Sequence, residues 1–387
     1  MAEQARVIRF GIIGCGLMGR EFASAVARWC HLVEPAAQVR LVAICNRSDK
    51  PFGWFTSNFP SITQVTHNYR EVLANPDVDA VYVALPHDLH EQVYGDAIRA
   101  GKHLMGEKPF GIDLQANEAI LAAMVEHPDV FVRCVSQFPF FPAVQRIGRM
   151  IEAGAFGRII EVRSAFLHSS DLDPNKPINW KRQQAHCGAY GVMGDLGMHA
   201  CHVPLRAGWK PRNVRAILSD IMPQRPDGRG AMVPCDTWDN ATLLVECDDP
   251  AAGSRFPWIL RTHRIAPGEK NTWSIEIDGT AASVRFSTRD PKRLELLTYK
   301  PGGEQVWQAV QCGYETAWPT ITGPIFEFGF TDAILQMWAA YVHELVKGPP
   351  ASRFAGCATA QEANVSHRLF TAALRSAAEG ATVEISA

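Results

Sequence analysis

Apolar positions in the first third of the chain follow two alternating rhythms. Arg6-Val7-Ile8-Arg9-Phe10-Gly11-Ile12-Ile13 is a β-type run. Arg20-Glu21-Phe22-Ala23-Ser24-Ala25-Val26-Ala27 is compatible with a helix. The alternation continues: Arg40 to Cys45 reads as a strand, Tyr69 to Leu73 as a helix, and Ala80 to Leu85 as a near-continuous apolar run of the kind a buried parallel strand shows. His90 to Ala100 predicts a helix closed by Gly101. His103 to Gly106 predicts a strand, Asp113 to Glu126 a helix and Val130 to Val135 a further strand. Strands alternating with helices predict a doubly wound parallel sheet, hence a Rossmann-type domain over residues 1–138.

Beyond residue 138 the rhythm changes. Ile159–Phe166, Val214–Leu218, Ala241–Cys247, Trp258–Arg264, Trp273–Ile277 and Ser283–Phe286 have strand character with Gly, Pro or Asp turns between them. Few helices intervene, so residues 139–387 are expected to form an α+β domain around a large, mostly antiparallel open sheet. Thr331–Val346 and Gln361–Glu379 close the chain as helices. A length of 387 residues accommodates two such domains. Against 40 acidic residues stand 38 Lys and Arg, so no basic surplus points to nucleic acid. No apolar run approaches the roughly 20 residues that cross a bilayer, and the N-terminus lacks a secretory pattern. The 10 cysteines form no C-x-x-C pair and read as buried thiols of a cytoplasmic protein, with no metal site expected.

Between the first strand and first helix stands Gly14-Cys15-Gly16-Leu17-Met18-Gly19. Strand, G-x-G-x-x-G and helix in that order form the dinucleotide fingerprint. The first glycine permits a sharp turn, the second lets backbone approach a pyrophosphate, and the third lets helix and strand pack closely. Glu107-Lys108-Pro109 follows a parallel strand, at the sheet end where ligands bind. Lys108 there is either a proton-exchanging group or a surface lysine in a turn. Asp195 and His199 are four apart and share one face of a helix. The pair can orient an imidazole or grip a polyhydroxyl substrate; a helix N-terminal acid beside a core histidine would look the same. His202 belongs to the structural class.

Together these motifs resemble the Gfo/Idh/MocA family of NAD(P)-dependent oxidoreductases. Ala84-Leu85-Pro86-His87 with His90 matches the loop after the fourth strand of that family, and Glu107-Lys108-Pro109 its most specific short motif. Ile151 to Ile159 matches the helix-to-sheet entry, Gly194 to His199 the D-x-x-x-H motif, and Ile277-Asp278-Gly279-Thr280 a turn in the large sheet. The insert Trp29 to Gln38 and the segment Trp180-Lys181-Arg182 resemble pyranose and levoglucosan dehydrogenases within it. The resemblance implies hydride transfer between a nicotinamide and a hydroxyl-bearing carbon of a sugar, glycoside or polyol. It implies that Lys108 contacts the reacting hydroxyl, that His199 is general acid/base on it, and that Asp195 orients the substrate or His199.

Cofactor contacts are implied at Gly14, Gly16, Leu17, Met18, Gly19, Asn46, Arg47, Ser48, Leu85, Pro86, His87, His90, Glu107, Lys108, Gln137, Trp180 and Lys181. At the end of the second strand Asn46 replaces the acid that grips the ribose of NAD, and Arg47 with Ser48 can hold a 2′-phosphate, which tips the expectation toward NADP. Gln137-Phe138-Pro139-Phe140-Phe141-Pro142 departs from the family's basic segment. Phe138 reads there as an aromatic wall for substrate or as hinge packing. Trp180, Trp238, Trp258, Trp273 and Trp318 offer stacking faces or core bulk. Homodimers or homotetramers are implied, through the apolar strands from Trp258 onward. A non-catalytic nucleotide-binding sensor and a dihydrodiol or imine oxidoreductase are the alternatives.

Overall fold

The structure is a computed structural model that describes residues 6–313, 315–323 and 325–386. Its first sheet contains β1 (Val7–Ile13), β2 (Gln38–Cys45), β3 (Gln64–Thr66), β4 (Ala80–Val83), β5 (His103–Gly106) and β6 (Val132–Cys134). All neighbours pair in parallel, in the order β3-β2-β1-β4-β5-β6. This is the doubly wound arrangement, with its switch point between β1 and β4. Every residue of β4 is buried, which is why its sequence shows no alternation. The three-residue β3 and the helix Phe52–Asn58 carry too short a pattern to have been read.

The second sheet has nine strands: β7 (Ile159–Leu167), β8 (Lys210–Ser219), β11 (Asn240–Asp249), β12 (Ser254–His263), β13 (Thr272–Gly279), β14 (Ala282–Ser287), β15 (Arg293–Thr298), β16 (Gln308–Gln311) and β17 (Val383–Glu384). β9 (Gln224–Pro226) and β10 (Met232–Pro234) form a separate hairpin-like pair. Antiparallel pairing holds throughout the nine strands except between β12 and β7. In β11, Ala241, Leu243 and Val245 point inward, whereas Thr242 and Leu244 point outward. Trp258 and Trp273 are fully buried, so they are core residues and not stacking faces. Their indole N–H groups donate to Ser164 Oγ at 2.8 Å and to the His199 carbonyl at 2.9 Å.

By contacts the chain forms two units. The first comprises the residues through Gly111, Gln115–Phe141 and Thr316–Gln361; the second comprises Ile112–Leu114, Pro142–Glu315 and Glu362 onward. The expected division into 1–138 and 139–387 is thereby corrected, because residues 316–361 fold with the parallel sheet. The cause is aromatic. In the helix Phe330–Lys347, Trp338 stacks on Phe22 with centroids 3.7 Å apart and meets Phe10 and Tyr82 edge-on. Nine of the ten cysteines are buried free thiols, whereas Cys30 is exposed, contrary to expectation. Among the described residues no helix is long and apolar enough to cross a membrane.

Candidate active site

The nucleotide-binding half belongs to the first unit. Gly14 adopts φ 104°, and a Cβ there would lie 2.2 Å from the Ala84 carbonyl oxygen. A Cβ on Gly19 would lie 2.4 Å from the Gly14 carbonyl oxygen. Gly16 has nothing within 4 Å of its absent Cβ, so its side of the loop stands open. The three glycines thus divide into a turn, an open approach and a close packing contact. Gly16 also precedes the helix Leu17–Ala27 without a side-chain cap, which leaves first-turn N–H groups available to an anion. Leu17 is exposed and Met18 half-buried at that end.

Asn46 ties this loop to the end of β2. Its Oδ1 accepts from Cys15 N at 3.2 Å, and its Nδ2 donates to the Ser48 carbonyl at 2.8 Å. Arg47 and Ser48 are exposed beside it. The only acid in the next three residues is Asp49, which is 3.1 Å from His67 Nε2.

The loop after β5 is held from several sides. Tyr82 donates to Glu107 Oε1 at 2.5 Å, and Tyr94 donates to the Glu107 carbonyl at 2.8 Å. Burial, reinforced by the Glu107 charge, pushes the Tyr82 phenol well above its usual range, so it remains a donor. Phe110 takes φ 66°, a conformation a bulky side chain adopts at a cost of ~1–3 kcal/mol. Asn117 Nδ2 secures its carbonyl at 2.9 Å. Lys108 stands half-exposed between these anchors.

His90 was expected at the cofactor and is instead fully buried. Its ring stacks on Tyr94 at 4.6 Å; Nδ1 accepts from Gly111 N at 3.4 Å, which assigns the Nε2 proton to the Leu85 carbonyl at 3.0 Å. It therefore supports the Leu85-Pro86-His87 loop from beneath. His87 is also buried, its ring 5.5 Å from that of His90. Phe138 is fully buried against Phe141 and Phe330, which favours packing over the alternative of a substrate wall. Gln137 is 4% exposed and its Oε1 has no hydrogen-bond partner among the described residues. With the open side of Gly16, that orphaned acceptor fits a nucleotide with a nicotinamide amide to donate.

The second unit carries the D-x-x-x-H pair. Asp195 lies in a π-helical turn, Met193–Gly197, that runs into the α-helix Met198–Arg206 bearing His199. Such turns are rare and concentrate at functional sites. A Cβ on Gly197 would lie 2.6 Å from Phe370, so the turn packs closely. The His199 ring meets Phe166 edge-on at 5.5 Å. Asp195 Oδ2 receives two cations: Arg264 Nη2 at 2.8 Å and Lys181 Nζ at 3.1 Å. Lys181 was expected at the cofactor; here its ammonium is paired with Asp195 and lies 5.7 Å from the Trp180 ring centroid. Burial opposes the charge of Arg264, and Asp195, Asp171 and Asp239 more than offset it. Arg264 has no spacing signature in the sequence and was missed. His202 is fully buried, and neither ring nitrogen has a hydrogen-bond partner among the described residues.

A family model described as oxidoreductase family, NAD-binding Rossmann fold, matches residues 8–133. A second, the GFO/IDH/MocA C-terminal domain, matches residues 144–285. The levoglucosan dehydrogenase of Pseudarthrobacter phenanthrenivorans is 26% identical over 335 residues, covering 83% of this chain and 82% of that protein. The dTDP-3,4-didehydro-2,6-dideoxy-alpha-D-glucose 3-reductase of Actinomadura kijaniata is 32% identical over 203 residues, 52% of this chain and 55% of that one. Among solved structures, a levoglucosan dehydrogenase complexed with NADH superposes with TM-score 0.86 at 23% identity, covering 98% of this chain and all (100%) of that one. An oxidoreductase domain protein from Kribbella flavida gives TM-score 0.88 at 21% identity, covering 99% and 100%.

Proposed function

The chain belongs to the Gfo/Idh/MocA family of NAD(P)-dependent oxidoreductases, and we propose that it oxidises a hydroxyl-bearing carbon of a sugar, glycoside or polyol. The observation that carries this reading is the polar cluster around Asp195, four residues before the buried His199, in a chain whose other unit bears the nucleotide cradle. The bound nicotinamide supplies the hydride acceptor. His199 takes the hydroxyl proton on its imidazole nitrogen, a contribution of roughly 10²–10⁴-fold for a positioned base. Lys108 is the candidate hydrogen-bond donor of the first unit, on a loop held in place by Tyr82, Tyr94 and Asn117. Asp195 stays charged and orients its neighbours.

NADP is favoured over NAD within the proposal. The end of β2 offers an uncharged Asn46, whose Oδ1 is engaged by Cys15, with exposed Arg47 and Ser48 alongside. Assembly as a homodimer or homotetramer uses the outer face of the nine-stranded sheet, where Ile217 and Leu244 stand exposed. The similarity to levoglucosan dehydrogenase puts anhydrosugars first among the substrates. The test is the reduced-nicotinamide absorbance generated from NADP⁺ or NAD⁺ with anhydrosugars, pyranosides, free aldoses and inositols. A signal with at least one of these is the expected result. Silence across the panel, with nucleotide binding shown by calorimetry, would move the chain to the sensor class.

A further inference from the structure

We infer that Arg264 is a positioning residue that acts through Asp195, fixing the carboxylate oxygen that also holds Lys181 and so setting where that ammonium stands. The inference rests on the proposed dehydrogenase reading and adds a residue to it.

Two of the three charges are buried and the third is partly exposed. Relative side-chain exposure is 4% for Arg264, 3% for Asp195 and 37% for Lys181. The buried end is rigidly framed. Arg264 N donates to the Asp239 carbonyl at 3.0 Å, and its own carbonyl accepts from Asp171 N at 3.3 Å. Lys181 stands on the turn Trp180–Arg182, whose Arg182 is buried and pairs with Asp239 at 2.6 Å. Thr237 Oγ1 donates to the Lys181 carbonyl at 3.1 Å. Segments 180–182 and 264 therefore meet at one carboxylate, and segment 236–239 braces both.

A guanidinium serving the scaffold alone would point to Asp239 or Asp171. Both are already engaged: Asp239 by Arg182 and by the N–H groups of Ile221 and Met222, and Asp171 by Lys176 at 2.8 Å. Arg264 instead reaches the acid of the D-x-x-x-H motif. Burying an ion pair this deeply is costly and is weak evidence for stability alone. Two cations on Oδ2 keep Asp195 ionised, which leaves proton transfer to His199 and puts the ammonium of Lys181 where it can stabilise negative charge developing on the substrate oxygen.

The test is a double-mutant cycle of Arg264→Met and Asp195→Asn, with Arg264→Lys as the conservative variant. kcat is read with the best substrate of the panel above, and nucleotide Kd by calorimetry. We expect Arg264→Met to lower kcat about 10²-fold with Kd unchanged within about twofold. The double variant should be no slower than Asp195→Asn alone, and Arg264→Lys should recover most of the loss. Should Arg264→Met fail to bind nucleotide, the cycle is run with Arg264→Gln, where the same non-additivity is required. Losses that multiply in the double variant, or near-normal kcat in Arg264→Met, overturn the inference and leave the dehydrogenase reading intact. A wild-type protein inactive on the whole panel overturns both.

Discussion

Arg47 is the residue through which we propose that charge sets the cofactor preference. It is exposed at the end of β2, next to an Asn46 whose side chain is already bonded to Cys15 N and to the Ser48 carbonyl. A 2′-phosphate would gain a charge-assisted hydrogen bond from Arg47, worth about tenfold in affinity. Arg47→Ala should therefore raise KM for NADP⁺ about tenfold and leave KM for NAD⁺ within about twofold; equal effects on the two would remove Arg47 from the phosphate site. The three fingerprint glycines were legible because each reports a backbone constraint local to a few residues, and the geometry at Gly14, Gly16 and Gly19 follows that division. His90 was not legible in the same way. A histidine near a cofactor loop and one underneath it have the same sequence spacing, and only burial against Tyr94 separates them. Arg264 is further still from local pattern, since its partner Asp195 is 69 residues away.

The helix Met198–Arg206 carries two buried histidines. His199 meets Phe166 edge-on, four residues after Asp195, whereas His202 is sealed in the interior. Burial lowers the His202 pKa from 6.5 to about 4, with Glu362 opposing and Arg206 assisting in smaller measure. The folded protein therefore resists protonation that the unfolded chain accepts. The neutral form's stability is fully present above pH 6.5 and is lost as pH falls from there toward 4. That shift corresponds to about 3 kcal/mol. The unfolding midpoint of His202→Leu should fall less steeply than that of the wild type across this window. His263, whose pKa burial also lowers to about 4, contributes alike to both proteins and cancels. Parallel curves for the two proteins would contradict the assignment. Helix periodicity gave the i, i+4 spacing of Asp195 and His199 but not the π turn of Met193–Gly197. One extra residue in a turn leaves no mark on a short apolar pattern, and Gly197 hints at it only through the close approach of Phe370.

Across the molecule, the fold class followed from two rhythms, one of strand–helix alternation and one of successive strands. The division into units did not, because it depends on where the helix Phe330–Lys347 finds its partners. Its apolar stripe is equally compatible with either sheet, and the stacking of Trp338 on Phe22 decides the matter. Each unit carries its own candidate residues: the first, the open loop of Gly16 and the half-exposed Lys108; the second, the buried Asp195 and His199. The central claim is that these residues perform a nicotinamide-linked oxidation. Its most direct test compares wild type with Lys108→Ala, measuring kcat from the rise in reduced nicotinamide at saturating substrate together with nucleotide Kd. The expected result is a fall in kcat of at least about 10²-fold with Kd changed by no more than about threefold. Turnover near the wild-type rate in Lys108→Ala would contradict it.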